Sequence, residues 1–175
     1  ALLGKFESRG LGGFLNGWVT ADASDPTTNI AYIYQGGISL PDEAYYREET
    51  HAEVRSKLVA HIERMFDLAG INDGANHARR IMELETEIAS YHWDTVHSRD
   101  AVLTFNKKTF QEIAALAAPF NWHLWADNAG VPRSVLDSIV IAQPDFIESM
   151  GKLFADFDLE KWRSWLTWHL VSSAA

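Results

Sequence analysis

Seven histidines and 24 acidic residues raise the question of a metal centre first. A zincin needs His-Glu-x-x-His, which sets two imidazoles on one helical face beside a glutamate. No such string occurs. Glu48-x-x-His51 has the i, i+3 form of a di-iron ligand pair, but that site requires a second copy and two further glutamates. Only one copy exists, at a helix start. Asp94-x-x-His97 has the same shape and the same shortfall. The chain has no cysteine, so disulfides, thiolate metal sites and cysteine nucleophiles drop out together.

Other motifs are incomplete. Gly36-Gly37-Ile38-Ser39-Leu40-Pro41 borders on a hydrolase elbow but lacks Gly-x-Ser-x-Gly. Gly10-x-Gly12-Gly13 lacks the preceding strand and the third spaced glycine of a dinucleotide site. Glu83, Glu85 and Glu87 do not converge, because residues two apart on a helix face different ways, and they read as a solvated face. The 21 aromatics (seven Trp, five Tyr, nine Phe) need burial or a ligand. Trp162, Trp165 and Trp168 have helical spacing and read as packing, with a carbohydrate or peptide groove as the functional alternative.

The elements that carry these residues are mostly helical. The fold class is mostly α: a helical, bundle-like domain with one β-hairpin and truncated helices at both ends. Trp18–Ala21 and Ile30–Tyr34 are β-prone, and residues 25–29 supply turn chemistry between them. Pro41 to Glu49 reads as a loop. A helix over about 50–69 carries Val54, Leu58, Ile62, Met65, Phe66 and Ala69 as one stripe, with Gly70 as its stop. A second, over about 73–91, has Ala78, Ile81, Leu84, Glu85, Ile88 and Tyr91 along one side. Thr109-Phe110-Gln111-Glu112 is a capping box that starts a helix ending before Pro119. A short helix, 122–129, lies between Asn121 and Gly130. Ile139-Val140-Ile141 is a short extended run. Pro144 opens a helix to about 155. Asp158 caps a last helix with Trp162, Trp165, Leu166, His169 and Leu170 on one stripe.

With 175 residues the chain fits one domain and can bury a sizeable core. Its net charge of −9 argues against nucleic acid and anionic membranes as partners. Arg79-Arg80 and Lys107-Lys108 are too short to make a basic patch. No apolar run approaches the roughly 20 residues of a membrane span, and the opening Ala1-Leu2-Leu3-Gly4-Lys5 does not read as a signal peptide. The compartment stays open. Both ends fall inside predicted helices, so the chain is expected to be part of a longer one.

Several strings belong together. They are Gly37-Ile38-Ser39-Leu40-Pro41-Asp42-Glu43-Ala44-Tyr45-Tyr46, His61-Ile62-x-x-Met65, Leu84-Glu85-Thr86-Glu87-Ile88-Ala89, Trp93, Val96 and Arg99-Asp100. Phe105-Asn106-Lys107-Lys108-Thr109, Phe120-Asn121-Trp122, Gln143-Pro144-Asp145-Phe146 and Trp165-Leu166-x-Trp168 follow. In this order and spacing they resemble the N-terminal, non-catalytic portion of the neprilysin family of zinc metallopeptidases, in its bacterial, cysteine-free form. The resemblance covers essentially the whole chain.

The resemblance implies a parent with two mostly helical domains around an enclosed cavity. One would be thermolysin-like and hold zinc through His-Glu-x-x-His and a downstream glutamate. The other would cap the cavity and admit only short peptides. Residues 1–175 would form one segment of that capping domain, with the last helix (about 158–175) leading towards the catalytic domain. No catalytic, metal-ligating or substrate-binding residue is assigned within the chain; zinc is implied for the full-length protein and none for this segment. The implied partners are the catalytic domain of the same polypeptide and peptide substrates. Exposed apolar helix faces on such a segment would favour self-association. His169 stands where animal members carry arginine, which would make a packing contact there pH-sensitive near neutrality. Within the Leu-Pro-x-x-x-Tyr-Tyr loop, the hydroxyls of Tyr45 and Tyr46 are expected to satisfy loop backbone groups. The competing readings are a free-standing helical protein- or peptide-binding module and a small separate enzyme.

Overall fold

A computed structural model describes residues 1–118, 120–156 and 158–174. Its helices are α1 (Leu2–Glu7), α2 (Ala44–Arg47), α3 (Ala52–Leu68), α4 (Gly74–Ser90), α5 (Phe110–Leu116), α6 (Trp122–Ala129), α7 (Arg133–Leu136), α8 (Pro144–Ala155) and α9 (Leu159–Ser173). Its strands are β1 (Leu15–Asp22), β2 (Asp25–Gln35), β3 (Asn106–Lys108) and β4 (Ile139–Ile141). The fold is mostly α, as the sequence implies. The chain divides into two compact units. The sheet unit comprises Ala1–Gly37 and Tyr91–Asp156; the helical unit comprises Ile38–Ser90 and the described part of Phe157–Ala175.

In the sheet unit the strand order is β1-β2-β4-β3. The predicted hairpin is present, but its turn is Ala23-Ser24 rather than residues 25–29, which lie in β2, where Asn29 pairs with Ala21 and Asp25 with Asp22 across a register shift. Asp22 fixes the tighter turn: its carboxylate accepts from the Ser24 N–H (2.8 Å) and hydroxyl (2.7 Å). Lys107 of β3 closes on it at 2.6 Å, and these donors hold the Asp22 pKa down at about 2. The extended run Ile139–Ile141 is a fully buried strand, parallel to β2 and antiparallel to β3, so the hairpin is half of a four-stranded sheet. The Gln35 side chain clamps the following segment, its Nε2 donating to the Trp93 carbonyl (2.9 Å) and its Oε1 accepting from the Trp93 N–H (2.8 Å).

The sheet unit's helices obey their caps. Thr109 and Glu112 form the capping box of α5. Asn121 accepts from the Leu124 N–H at the start of α6, and Gly130 ends it at φ 71°. The expected stop before Pro119 concerns a residue outside the described ones; α5 itself ends at Leu116. Phe14 meets Phe120 and Phe154 edge-on at 5.1 and 5.3 Å, anchoring β1 to the helical layer.

At Gly151 of α8, an added Cβ would lie 2.8 Å from the Ala117 Cα. Gly151→Ala is therefore expected to lower stability by about 1–2 kcal/mol, the overpacking cost exceeding the gain in helix propensity. Thermal unfolding followed by circular dichroism measures it; an unchanged melting temperature would show that α5 and α8 separate freely.

In the helical unit, α3 and α4 form a hairpin across a five-residue connection, and α9 packs on both. Gly70, at φ 70°, ends α3 by taking the left-handed conformation. The buried part of α3 is confined to Ile62 and Phe66; Val54 and Ala69, at the ends of the predicted stripe, are exposed. On α9 the buried residues are Trp162, Ser164, Trp165 and Trp168, while Leu170 is exposed. The three tryptophans are therefore packing residues. The predicted 41–49 loop contains α2, which carries Tyr46 into a cluster with Leu40 and Ala89.

Candidate functional site

Loop residues 38–41 are set by Gly37, at φ 87°, and by Pro41. The loop is held by a polar cluster within the helical unit, and Glu85 is its centre. Its position on the apolar side of α4 places it among Ile81, Leu84 and Ile88, and it is 0% exposed. This corrects the view of Glu85 as part of a solvated acidic face. Glu83 does lie towards solvent, paired with Arg79 and with Lys161.

Four donors converge on the Glu85 carboxylate. The Ser39 hydroxyl donates to Oε1 at 2.7 Å. The Ser39 N–H (2.9 Å) and the Tyr46 hydroxyl (2.5 Å) donate to Oε2. The Trp165 indole is the fourth. The Tyr46 oxygen in turn accepts from the backbone N–H groups of Ser39 and Leu40, both at 3.0 Å. Tyr46 thus performs the predicted role, whereas Tyr45 instead stacks on His51 at 4.0 Å between ring centroids. Burial drives the Glu85 pKa up against the pull of its donors. Burial and the adjacent Glu85 also push the Tyr46 hydroxyl pKa well up.

A serine hydroxyl on a carboxylate superficially resembles an activated nucleophile. Here the Ser39 oxygen also accepts the Trp168 indole N–H at 2.9 Å. The cluster joins the loop, α2, α4 and α9 in one hydrogen-bond network.

The histidines are dispersed. His77 Nδ1 lies 2.9 Å from the Ser164 hydroxyl, which itself donates to the Glu160 carbonyl, so His77 is the donor. His92 donates through Nε2 to the Gly36 carbonyl at 2.9 Å. His61 meets Trp168, and His123 meets Phe110, edge-on. His97 Nδ1 pairs with the Asp94 carboxylate at 2.8 Å on the surface. His51, of the Glu48-x-x-His51 pair, is the ring stacked on Tyr45. Among the described residues no group of three or more His, Cys, Asp or Glu is placed to hold a metal ion. His169 packs on Trp165 with Nε2 buried and without a partner among the described residues, and burial lowers its pKa to about 4. Its charge change therefore lies below, not near, neutrality.

A raised pKa belongs to Glu7, in the sheet unit. Glu7 lines a cleft of about 580 Å³ with Trp18, Tyr32, Trp125 and Pro132. Burial raises its pKa to about 7, although the Trp125 indole N–H donates to it. Gly13 leaves the space its side chain fills.

The N-terminal-region model of the family described as Peptidase family M13 matches residues 1–175. This chain belongs to peptidase family M13. A solved structure of the zinc metalloprotease Zmp1 of Mycobacterium tuberculosis, in complex with an inhibitor, is 37% identical with a TM-score of 0.91. That match covers 96% of this chain and 26% of the Zmp1 chain. Human endothelin-converting enzyme 1 is 25% identical over 166 residues, covering 90% of this chain and 21% of that protein. Neprilysin-3 of Drosophila melanogaster is 26% identical over 148 residues, 79% of this chain and 19% of its own length. This M13 chain thus spans about a fifth of the length of the curated relatives it matches.

Proposed function

We propose that this chain is a segment of a zinc-dependent endopeptidase that hydrolyses peptides. Its part is to wall the substrate cavity and limit substrate size, and it supplies no catalytic residue. In this reading α9 leads towards the catalytic domain of the same polypeptide, which carries the zinc. The observation that supports it is the family match along the entire chain. The clamp at Glu85 suits such a role, because a wall must hold its loops fixed while substrate enters and leaves.

The test compares the 175-residue chain with the longer product of the same gene, using quenched fluorescent peptides and zinc analysis. The expected result is cleavage and about one zinc per chain in the longer product only. That product should also cleave short peptides and spare folded proteins. Peptide cleavage by these 175 residues alone, or equal attack on folded proteins, would overturn the proposal.

A further inference from the structure

Within the sheet unit β1 is an edge strand, paired on one side with β2. The register decides which of its backbone groups stay open. On β2, the Ile33 carbonyl accepts from the Ala142 N–H at 2.9 Å, and the Gln35 N–H donates to Gln143 at 3.0 Å. The odd-numbered residues of β2 therefore turn their backbone groups towards β4, and the even-numbered ones towards β1. The pairs that exchange ladder bonds across the hairpin are thus Asn16–Tyr34, Trp18–Tyr32 and Thr20–Ile30. Gly17, Val19 and Ala21 point their N–H and C=O groups outward, and among the described residues nothing bonds to them. At Leu15 the edge is covered, because its outward N–H meets the Glu7 carboxylate.

Open edges template further strands, and they are ordinarily blunted by charged side chains, proline or a bulge. Residues 15–21, Leu-Asn-Gly-Trp-Val-Thr-Ala, contain neither a charge nor a proline. The register shift comes after them, between Ala21 and Asp22. Gly17, Val19 and Ala21 are all exposed, Val19 by 64%. The second observation is the cleft of about 580 Å³ that holds Glu7. It is lined by Gly17, Val19 and Ala31 from one face of the hairpin, and by Trp125 and Pro132. Residues opposite one another in a ladder share a face. A strand added to β1 would therefore set the side chains paired with Gly17 and Val19 on the cleft side. Gly17 has no side chain to stand in their way.

In strand addition, backbone hydrogen bonds supply affinity and pockets for alternate side chains supply selectivity. A second copy of β1 would fit the edge but not the cleft. Antiparallel pairing about Val19 would bring only the small side chains of Gly17, Val19 and Ala21 to it. Two chains of net charge −9 also repel each other. A peptide with large apolar side chains at alternate positions fits both features, and a neutral or basic one meets no such repulsion. Antiparallel pairing is the more stable per residue. We propose that β1 takes up an extended, non-acidic peptide as an added antiparallel strand along residues 17–21, with alternate apolar side chains in the cleft. This binding uses no catalytic group, so it stands whether or not the parent protein is a peptidase.

The experiment is a titration of the ¹⁵N-labelled chain with an end-blocked hexapeptide that alternates leucine and threonine between terminal lysines. The same peptide N-methylated at its leucines, which cannot donate to the edge, is the comparison probe. The expected result is saturable shifts and slowed hydrogen exchange at the Gly17 and Val19 amides with the first peptide, and neither with the second. Val19→Pro removes an outward N–H that the ladder does not use, a place where edge strands tolerate proline, so the variant should stay folded and bind roughly tenfold more weakly. No protection at millimolar peptide, or unchanged affinity in folded Val19→Pro, would overturn the proposal. Equal binding of the N-methylated peptide would overturn it too, by showing that side chains alone are held. Protection that grows with protein concentration before peptide is added would assign the edge to a second copy instead. The two-peptide comparison on the unsubstituted chain decides the matter even if Val19→Pro fails to fold.

Discussion

Replacing Glu85 by alanine is expected to destabilise the helical unit by about 3–5 kcal/mol. The side chain is fully buried, so truncation leaves a cavity as well as lost hydrogen bonds. The Tyr46 hydroxyl suffers most. Its oxygen already accepts two backbone N–H groups, so its own proton has nowhere else to go. The exposed Ser39 hydroxyl can turn to water instead. Glu85→Gln should cost less, about 1–2 kcal/mol, because the amide keeps its volume and one acceptor for Tyr46. Its NH₂ group can then donate to Ser39. Urea unfolding with a probe in α4 measures both variants. A Gln variant as damaged as the Ala variant would mean that the charge itself, rather than the acceptor geometry, holds the cluster. In a double-mutant cycle with Tyr46→Phe, a coupling above about 1 kcal/mol is expected, since the two groups share one network.

How far this cluster could be read in advance depends on the reach of the signals involved. The starts of α5, α6 and α9 were legible because caps are local: Thr109 with Glu112, Asn121 with Leu124, and Asp158 with Glu160 and Lys161 all lie within three residues. Tyr46 was legible for the same reason, lying six and seven residues from the N–H groups it accepts. Glu85 was ambiguous, because its spacing placed it on the apolar stripe while its charge placed it in water. Burial was decided by Ser39 and Tyr46, 46 and 39 residues away. The sheet was half legible. The hairpin announced itself by composition, but β3 and β4 are three residues each and pair with partners distant in sequence. The ends of the α3 and α9 stripes were over-read: periodicity marks which face turns inward, not how far along the helix a neighbour covers it. The Glu7 environment had no sequence signal, since it is assembled from α1, Gly13 and Trp125 of α6.

Raising the pH from about 5 to 8 is expected to weaken the sheet unit by about 2–3 kcal/mol, through Glu7 alone. Its folded pKa of about 7 lies above its ordinary value of 4.5. Between those values the folded chain binds the proton and the unfolded chain does not. The contribution is therefore complete below about pH 4.5 and is lost as the pH rises through 7. At about 1.4 kcal/mol for each pH unit of difference, the full effect would slightly exceed 3 kcal/mol; the incomplete burial of Glu7 trims it. Asp22 in the same unit does not interfere, because its donors hold it near 2, outside the window. Glu7→Gln keeps an acceptor for the Trp125 indole and cannot ionise, so its stability should lack this component. Hydrogen exchange of the β1–β2 amides, measured across the range in both forms, isolates the difference because every other titrating group is common to the two. The curves should meet near pH 5 and diverge by pH 8, with the glutamine form the more stable at the upper end. Parallel curves would show that the Glu7 carboxylate ionises without penalty, which the burial of its side chain against Trp125 and Gly13 does not allow.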